Sequence, residues 1–312
     1  MKPEVSVVIP VFNEEQGLPL LCARLFPALD ALRRPYEVIF VDDGSRDGSA
    51  AALRKVHAAR PDVVRVLLLR FNVGQHLAIL AAFERSRGRH VVTLDADLQN
   101  PPEEIARVVA EMDAGHDYVG TVRQLRQDVW WRRAASGVIN GIRDRITDIR
   151  ITDQGCMLRG YGRNVVDAVN ACEEVSTFVP ALAYGFASRR TEIPVAHEER
   201  AVGETKYSLY RLIRLNFDLM TGFSLVPLQL VSLLGLLVSI VSLVFVAYLA
   251  VRRLLIGPEA EGLFTLFGIM TFLLGILLFG LGIVGEYIGR IYHQVRRRPR
   301  YVVAESLGEP AQ

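Results

Sequence analysis

The stretch Val92-Thr93-Leu94-Asp95-Ala96-Asp97-Leu98-Gln99-Asn100-Pro101-Pro102-Glu103-Glu104 decides how this chain reads. Residues 91–94 form an apolar, β-branched run, the mark of an interior strand. Residues two apart on a strand share a face, so Asp95 and Asp97 are expected to converge, with Gln99 following at the same period. Two carboxylates and an amide oxygen are hard donors, suited to Mg2+ or Mn2+ rather than zinc. The prolines stop the strand and suit a helix start at Pro102-Glu103-Glu104-Ile105. Taken alone, an Asp-x-Asp is more often a strand end with a solvated turn, and the rest of the chain has to decide.

Upstream, strands alternate with helices. Strands are expected at Val5–Val11, Tyr36–Val41, Val63–Leu69 and His90–Leu94, and helices at Glu14–Leu32, Gly48–His57 and Gln75–Arg85. This alternation implies an α/β fold with a mostly parallel, Rossmann-like sheet covered on both faces. Such sheets bind ligands beyond the carboxyl ends of their strands. Asn13-Glu14, Asp42-Asp43 and Asp95-Ala96-Asp97 all fall at those ends, so three separate strands deliver polar groups to one rim. No Gly-x-Gly-x-x-Gly follows any of these strands and Gly-Lys-Ser/Thr does not occur, so neither a dinucleotide fold nor a phosphate loop is signalled.

The chain has 312 residues, 51 % hydrophobic and only 22 % charged, which is too apolar for an ordinary soluble domain. Residues 219–251 and 262–285 carry no charge, and each exceeds the ~20 residues a membrane span needs. The expected organisation is a catalytic domain over 1–205, an amphipathic juxtamembrane helix over 206–224, two transmembrane helices near 228–251 and 262–285, and a basic tail over 286–312. Both ends of such a hairpin lie on one side. Arg211, Arg214 and the cluster Arg296-Arg297-Arg298-Pro299-Arg300 outweigh Arg252 and Arg253, so that side is read as cytoplasmic. Residues 130–146 read as a second interfacial helix, basic and amphipathic with Trp130-Trp131 at its start, or else as a helix packed on the sheet. A net charge of +2 gives no basis for a nucleic-acid partner. Three cysteines without Cys-x-x-Cys fit a reducing compartment and no zinc site. Arginine outnumbers lysine 33 to 3, which singles out Lys206.

Val-Val-Ile-Pro-Val-Phe-Asn-Glu-Glu (7–15), Val-Asp-Asp-Gly-Ser (41–45) and Asp-Ala-Asp-Leu-Gln (95–99) resemble the inverting glycosyltransferases of family two, with their nucleotide-sugar-binding A-type fold. Arg200-Ala-Val-Gly-Glu-Thr-Lys206 is similar to the Arg-x-x-Gly-x-Ser-Lys of the polyprenyl-phosphate subgroup, with Thr205 keeping the hydroxyl. Asn-Val-Gly-Gln-His (72–76), Gly-Cys-Met-Leu-Arg (155–159) and Gly-Glu-Tyr-Ile-Gly-Arg-Ile-Tyr (285–292) extend the likeness over residues 5–303. The resemblance implies transfer of a sugar from a UDP donor to undecaprenyl phosphate at the cytoplasmic face of a bacterial inner membrane, by a homo-oligomer. 4-Deoxy-4-formamido-L-arabinose is the first expectation for that sugar, and glucose or another hexose the second. A sugar-nucleotide-binding subunit without activity is the non-enzymatic alternative, and the intact Asp-x-Asp speaks against it.

The same resemblance implies roles. Asp97 and Gln99 would hold the metal. Asp95 would hold the ribose or an outer-shell water. Pro10, Phe12, Glu14 and Asp43 would bind uridine, with Asp42 assisting. Asp153 would act as base or orient the acceptor, and Arg123, Arg200 and Lys206 would balance the phosphates. His76 is either a donor-sugar contact or a helix-start histidine.

Overall fold

The structure, a computed structural model, describes residues 2–123, 151–172, 178–198, 226–256, 263–295 and 299–308. It forms two units. One comprises residues 1–136, 149–206 and 298–312, and the other residues 137–148 and 207–297.

The first unit is a doubly wound sheet. Its elements run β1 (Val5–Val11), α1 (Gly17–Ala31), β2 (Tyr36–Asp42), α2 (Ser49–Ala59), β3 (Val64–Leu69), α3 (Gln75–Phe83) and β4 (His90–Thr93). A 3-10 turn, Pro102–Glu104, then leads into α4 (Ile105–Asp113). β5 (Tyr118–Arg123), β6 (Arg159–Gly162), α5 (Arg163–Ala171), α6 (Val179–Phe186) and β7 (Arg190–Val195) follow. The sheet is closed by β8 (Val303–Leu307) in the order β7-β5-β6-β4-β1-β2-β3-β8. β1 pairs in parallel with β2 and β4, β2 with β3, and β5 with β7, whereas β6 and β8 run antiparallel to their neighbours. The expected strands and helices of residues 5–94 are thus all present. They form because β1, β2 and β3 are near-continuous apolar runs buried on both faces. The core packs Val7, Ile9, Phe40 and Val66 against Leu18, Leu21 and Leu25 of α1.

The second unit contains two long helices in contact, α7 (Val226–Ile256) and α8 (Leu263–Val295), of 31 and 33 residues. Large apolar side chains stand exposed along both, including Leu233, Leu237, Phe272 and Phe279. Among the described residues one window, Phe272–Gly289, is long and apolar enough to cross a bilayer, with a mean hydropathy of 2.0. The expected juxtamembrane helix over 206–224 and the expected interfacial helix over 130–146 lie outside the described residues. Within the stretch expected as a basic tail, α8 continues to Val295 and Val303–Leu307 enters the sheet. The first unit therefore owns residues on both sides of the hairpin in sequence.

Candidate active site

The strand order β3-β2-β1-β4 puts a topological switch between β1 and β4, and the crevice beyond their carboxyl ends is where such a sheet takes a ligand. Sequence detail opens that crevice. The last β1–β4 pair is Val8↔Thr93, and the carbonyl of Val8 points towards β4. Pro10, two residues on, faces the same way where β4 has already left, so its missing N–H forfeits no ladder bond. The following turn is stitched to the loop after β2. The N–H groups of Asn13 and Glu14 donate to the hydroxyls of Ser45 and Ser49, each at 2.9 Å, and Asn13 Oδ1 accepts from the N–H of Arg46 at 2.9 Å. Phe12 stands 43 % exposed on this rim.

Asp42 and Asp43 are both buried. Asp43 accepts from Asn72 Nδ2 at 2.9 Å, the N–H of Val73 at 2.7 Å and the N–H of Gly74 at 2.9 Å. Its carboxylate thus pins the 72–74 loop. Asp42 Oδ2 accepts from the N–H of Ser45 at 3.3 Å, while its Oδ1 is buried without a partner among the described residues. Burial raises the pKa of both. Asp42 thus holds an orphaned acceptor, whereas the Asp43 carboxylate is engaged by the 72–74 loop.

β4 ends at Thr93, so Asp95 and Asp97 do not share a face through strand alternation as expected. Leu98 adopts φ 62° in the turn that follows. Alternation survives in burial all the same: Ala96, Leu98 and Asn100 point inward, and Asp95, Asp97 and Gln99 are the more exposed members. Asp97 Oδ1 accepts the N–H of Gln99 at 3.1 Å. Asp95 Oδ1 accepts from Gln75 Nε2 at 2.5 Å. Desolvation, then repulsion from Asp97, pushes Asp95 up to about 7. Two carboxylates that repel across a rim of oxygen donors fit a divalent cation, which would remove that repulsion.

Asp153 and Arg123, expected in separate roles, are joined. Arg123 Nε and Nη2 fork onto Asp153 Oδ2 and Oδ1 at 2.6 and 2.8 Å. His76 opens α3 beside Gln75, edge-on to Phe178 with ring centroids 4.8 Å apart. Its Nδ1 is buried without a partner among the described residues, and burial lowers its pKa to about 4. Glu14 sits half-buried at the head of α1. Arg200 and Lys206 lie outside the described residues. Sequence reasoning gave no role to Gln75 or to the fully buried Arg159, although both stand inside quoted family-like segments.

Glu4, His90 and Asp113 also bring three ligand atoms within 4.8 Å of one another. That group sits at the amino ends of β1 and β4, away from the rim, and Arg34 bridges Glu4 at 3.2 Å and Asp113 at 2.8 Å. A guanidinium already balances both carboxylates.

The family model described as glycosyl transferase family 2 matches residues 6–169. The chain is 49 % identical over 301 residues to an undecaprenyl-phosphate 4-deoxy-4-formamido-L-arabinose transferase of Aeromonas hydrophila, covering 96 % of this chain and 92 % of the relative. It is 51 % identical over 303 residues to the protein of the same name from Edwardsiella ictaluri, covering 96 % and 93 %. Among solved structures, the mannosyltransferase PcManGT from Pyrobaculum calidifontis, in complex with GDP-Man and Mn2+, superposes with a TM-score of 0.51. That match has 20 % identity, covers 71 % of this chain and 64 % of the other, and speaks to fold alone. A doubly wound sheet with an acidic crevice at its switch point, matched by this family over half its length, makes the chain a member of glycosyl transferase family 2 with the A-type fold.

Proposed function

We propose that the protein transfers 4-deoxy-4-formamido-L-arabinose from its UDP-linked donor to undecaprenyl phosphate, with inversion, at the cytoplasmic face of the bacterial inner membrane. The observation that carries this reading is near-50 % identity, along 96 % of the chain, to two transferases of that name.

The rim supports a donor pose. The orphaned Asp42 Oδ1 needs an N–H, and the N3–H of a uracil ring supplies one. Phe12 offers a face to stack on the base, flanked by Pro10 and Glu14, and Asp43 holds the loop behind it. Asp97 and Gln99 would hold Mg2+ or Mn2+, with Asp95 behind them kept in place by Gln75. Such an ion, when bound, neutralises charge building on the diphosphate leaving group.

A phosphate oxygen of the lipid attacks the anomeric carbon opposite the leaving UDP, so one C–O bond forms as the other breaks and the configuration inverts. The acceptor is already ionised at neutral pH and no proton has to be removed. Asp153, with both oxygens engaged by Arg123, accordingly orients rather than deprotonates. Two anions must meet, and Arg123, Arg200 and Lys206 supply the cations.

The hairpin of α7 and α8 would anchor the protein to the membrane, where a lipid-borne phosphate is concentrated. Because one folded unit owns the sequence before and after the hairpin, either both helices cross or neither does. The deciding experiment is a panel of UDP-sugars with purified full-length protein and undecaprenyl phosphate, read by mass spectrometry of the lipid product. Product from UDP-glucose and none from the formamido-arabinose donor would overturn the assignment.

A further inference from the structure

Arg159 has no role in the mechanism above, yet it is the largest fully buried side chain among the described residues. It begins β6, directly across from Thr93 and so at the foot of the Asp95–Asn100 turn. Its Nε donates to the carbonyl of Cys156 at 2.8 Å, its Nη2 to the carbonyl of Asp153 at 2.5 Å and its Nη1 to Tyr118 Oη at 2.5 Å. All three partners are neutral, and among the described residues no carboxylate comes within ion-pair distance. A buried cation whose direct partners are all neutral is costly, and a neutral side chain of similar volume would serve a core better. Its presence calls for a reason other than stability.

The bonds supply one. Two of them go to carbonyls of the 153–156 segment, so that this segment closes around the guanidinium. Two side chains then lead outward from it. The carboxylate of Asp153 grips Arg123, and its Oδ1 also accepts the N–H of Gly155 at 3.1 Å. Cys156 Sγ lies 2.9 Å from Thr121 Oγ1 and donates to Asn100 Oδ1 at 3.3 Å, and Asn100 ends the turn that carries Asp95, Asp97 and Gln99. One planar fork thereby sets the spacing between the carboxylate–guanidinium pair and the acidic turn.

We infer that Arg159 is a positioning residue for the transfer step: it fixes the 153–156 turn, and through it the Asp153–Arg123 pair, against the Asp95–Gln99 turn, without touching substrate. This rests on the proposed role of Asp153 and Arg123 at the acceptor. Lysine cannot take its place, because a single ammonium does not span two carbonyls and a phenol in one plane.

The test uses the full-length protein in lipid nanodiscs with two readouts. In the first, Arg159→Lys is expected to lower kcat at least about tenfold while the KM for donor moves less than about threefold. In an Asp153→Asn background the same change is expected to cost less than about twofold, since residues acting through one another are not additive. In the second, hydrogen exchange of peptides containing Gly155 is expected to quicken in Arg159→Lys, with β1 and β4 still protected. An equal factor in both backgrounds, or unchanged exchange across 153–156, overturns the assignment. Should Arg159→Lys fail to fold, Tyr118→Phe removes one of the three bonds while keeping the cation, and the same readouts apply with a kcat loss of about threefold. Failure of the wild-type protein to glycosylate any lipid phosphate would refute the proposed function, and the exchange measurement would still decide the place of Arg159.

Discussion

The backbone N–H of Glu198 donates to the carbonyl of Gln99 at 2.9 Å, tying the approach to Arg200 onto the acidic turn. The Glu198 carboxylate also holds Arg24 at 2.8 and 3.0 Å, and Arg24 grips Glu103 at the start of the 3-10 turn. Glu198, the last described residue before the segment bearing Arg200 and Lys206, thus rests on the Asp95–Gln99 turn.

Lys206 is expected to bind phosphate as a compact point charge, in a chain that otherwise uses arginine almost everywhere. Loss of a charge-assisted bond in a desolvated site costs roughly 1.5–3 kcal/mol, so Lys206→Ala should lower kcat/KM at least about tenfold. Lys206→Arg keeps the charge but misplaces its donors and should fall between. Steady-state kinetics giving wild-type efficiency for Lys206→Ala would mean that the residue is a solvated surface charge.

Asp97→Asn should reduce transfer by at least about a hundredfold while leaving thermal unfolding of the first unit in place. Calorimetry with UDP should show affinity that depends on Mg2+ or Mn2+ in the wild type and much less so in the variant. Full turnover in excess chelator would remove the metal from the mechanism.

Gly44 has φ 67°, and a Cβ built there would stand 2.6 Å from the backbone carbonyl carbon of Phe71. Both the left-handed backbone and the contact require glycine. Gly44→Ala should destabilise the first unit by about 1–3 kcal/mol and push away the 72–74 loop that Asp43 holds. Denaturant unfolding measures the first effect and UDP titration the second, and a variant matching wild type in both would contradict this packing.

His76 has its pKa lowered by burial to about 4, against about 6.5 for the unfolded chain. The unfolded state therefore takes the proton first. Stability from the neutral ring is complete above about pH 6.5 and is lost as pH falls towards 4. Between pH 7 and pH 5 this amounts to on the order of 2 kcal/mol, which His76→Gln should not lose. Parallel denaturation curves at the two pH values for both proteins check it, and equal losses would place the titration elsewhere.

What could be read from sequence follows from where the physics is local. β1 to β4 announce themselves as apolar runs, and Asp42, Asp95 and Asp97 as polar groups at strand ends. β6 is only Arg-Gly-Tyr-Gly, and it becomes a strand because β4 and β5 flank it. β8 alternates between half-buried and exposed residues at the end of the chain, with no apolar run to mark it. The Asp153–Arg123 fork and the enclosure of Arg159 depend on which strands become neighbours, and no local pattern encodes that. Asp95 and Asp97 were expected on one face for a reason that the backbone does not obey, since a turn does what a strand was expected to do.

The antiparallel pairing of β8 with β3, from Val66↔Leu307 to Leu69↔Val303, sets an order of events during synthesis. The outer edge of β3 stays open while α7 and α8 emerge, because the strand that caps it follows both in sequence. Glu305 then reaches Arg54, and Tyr301 reaches Glu84 and Arg85. A chain whose hairpin had threaded the bilayer only once would strand β8 in the wrong compartment and leave that edge unpaired. On the proposed two-span reading, completion of the sheet thus doubles as a check on insertion, since only a chain that crosses twice returns β8 to β3.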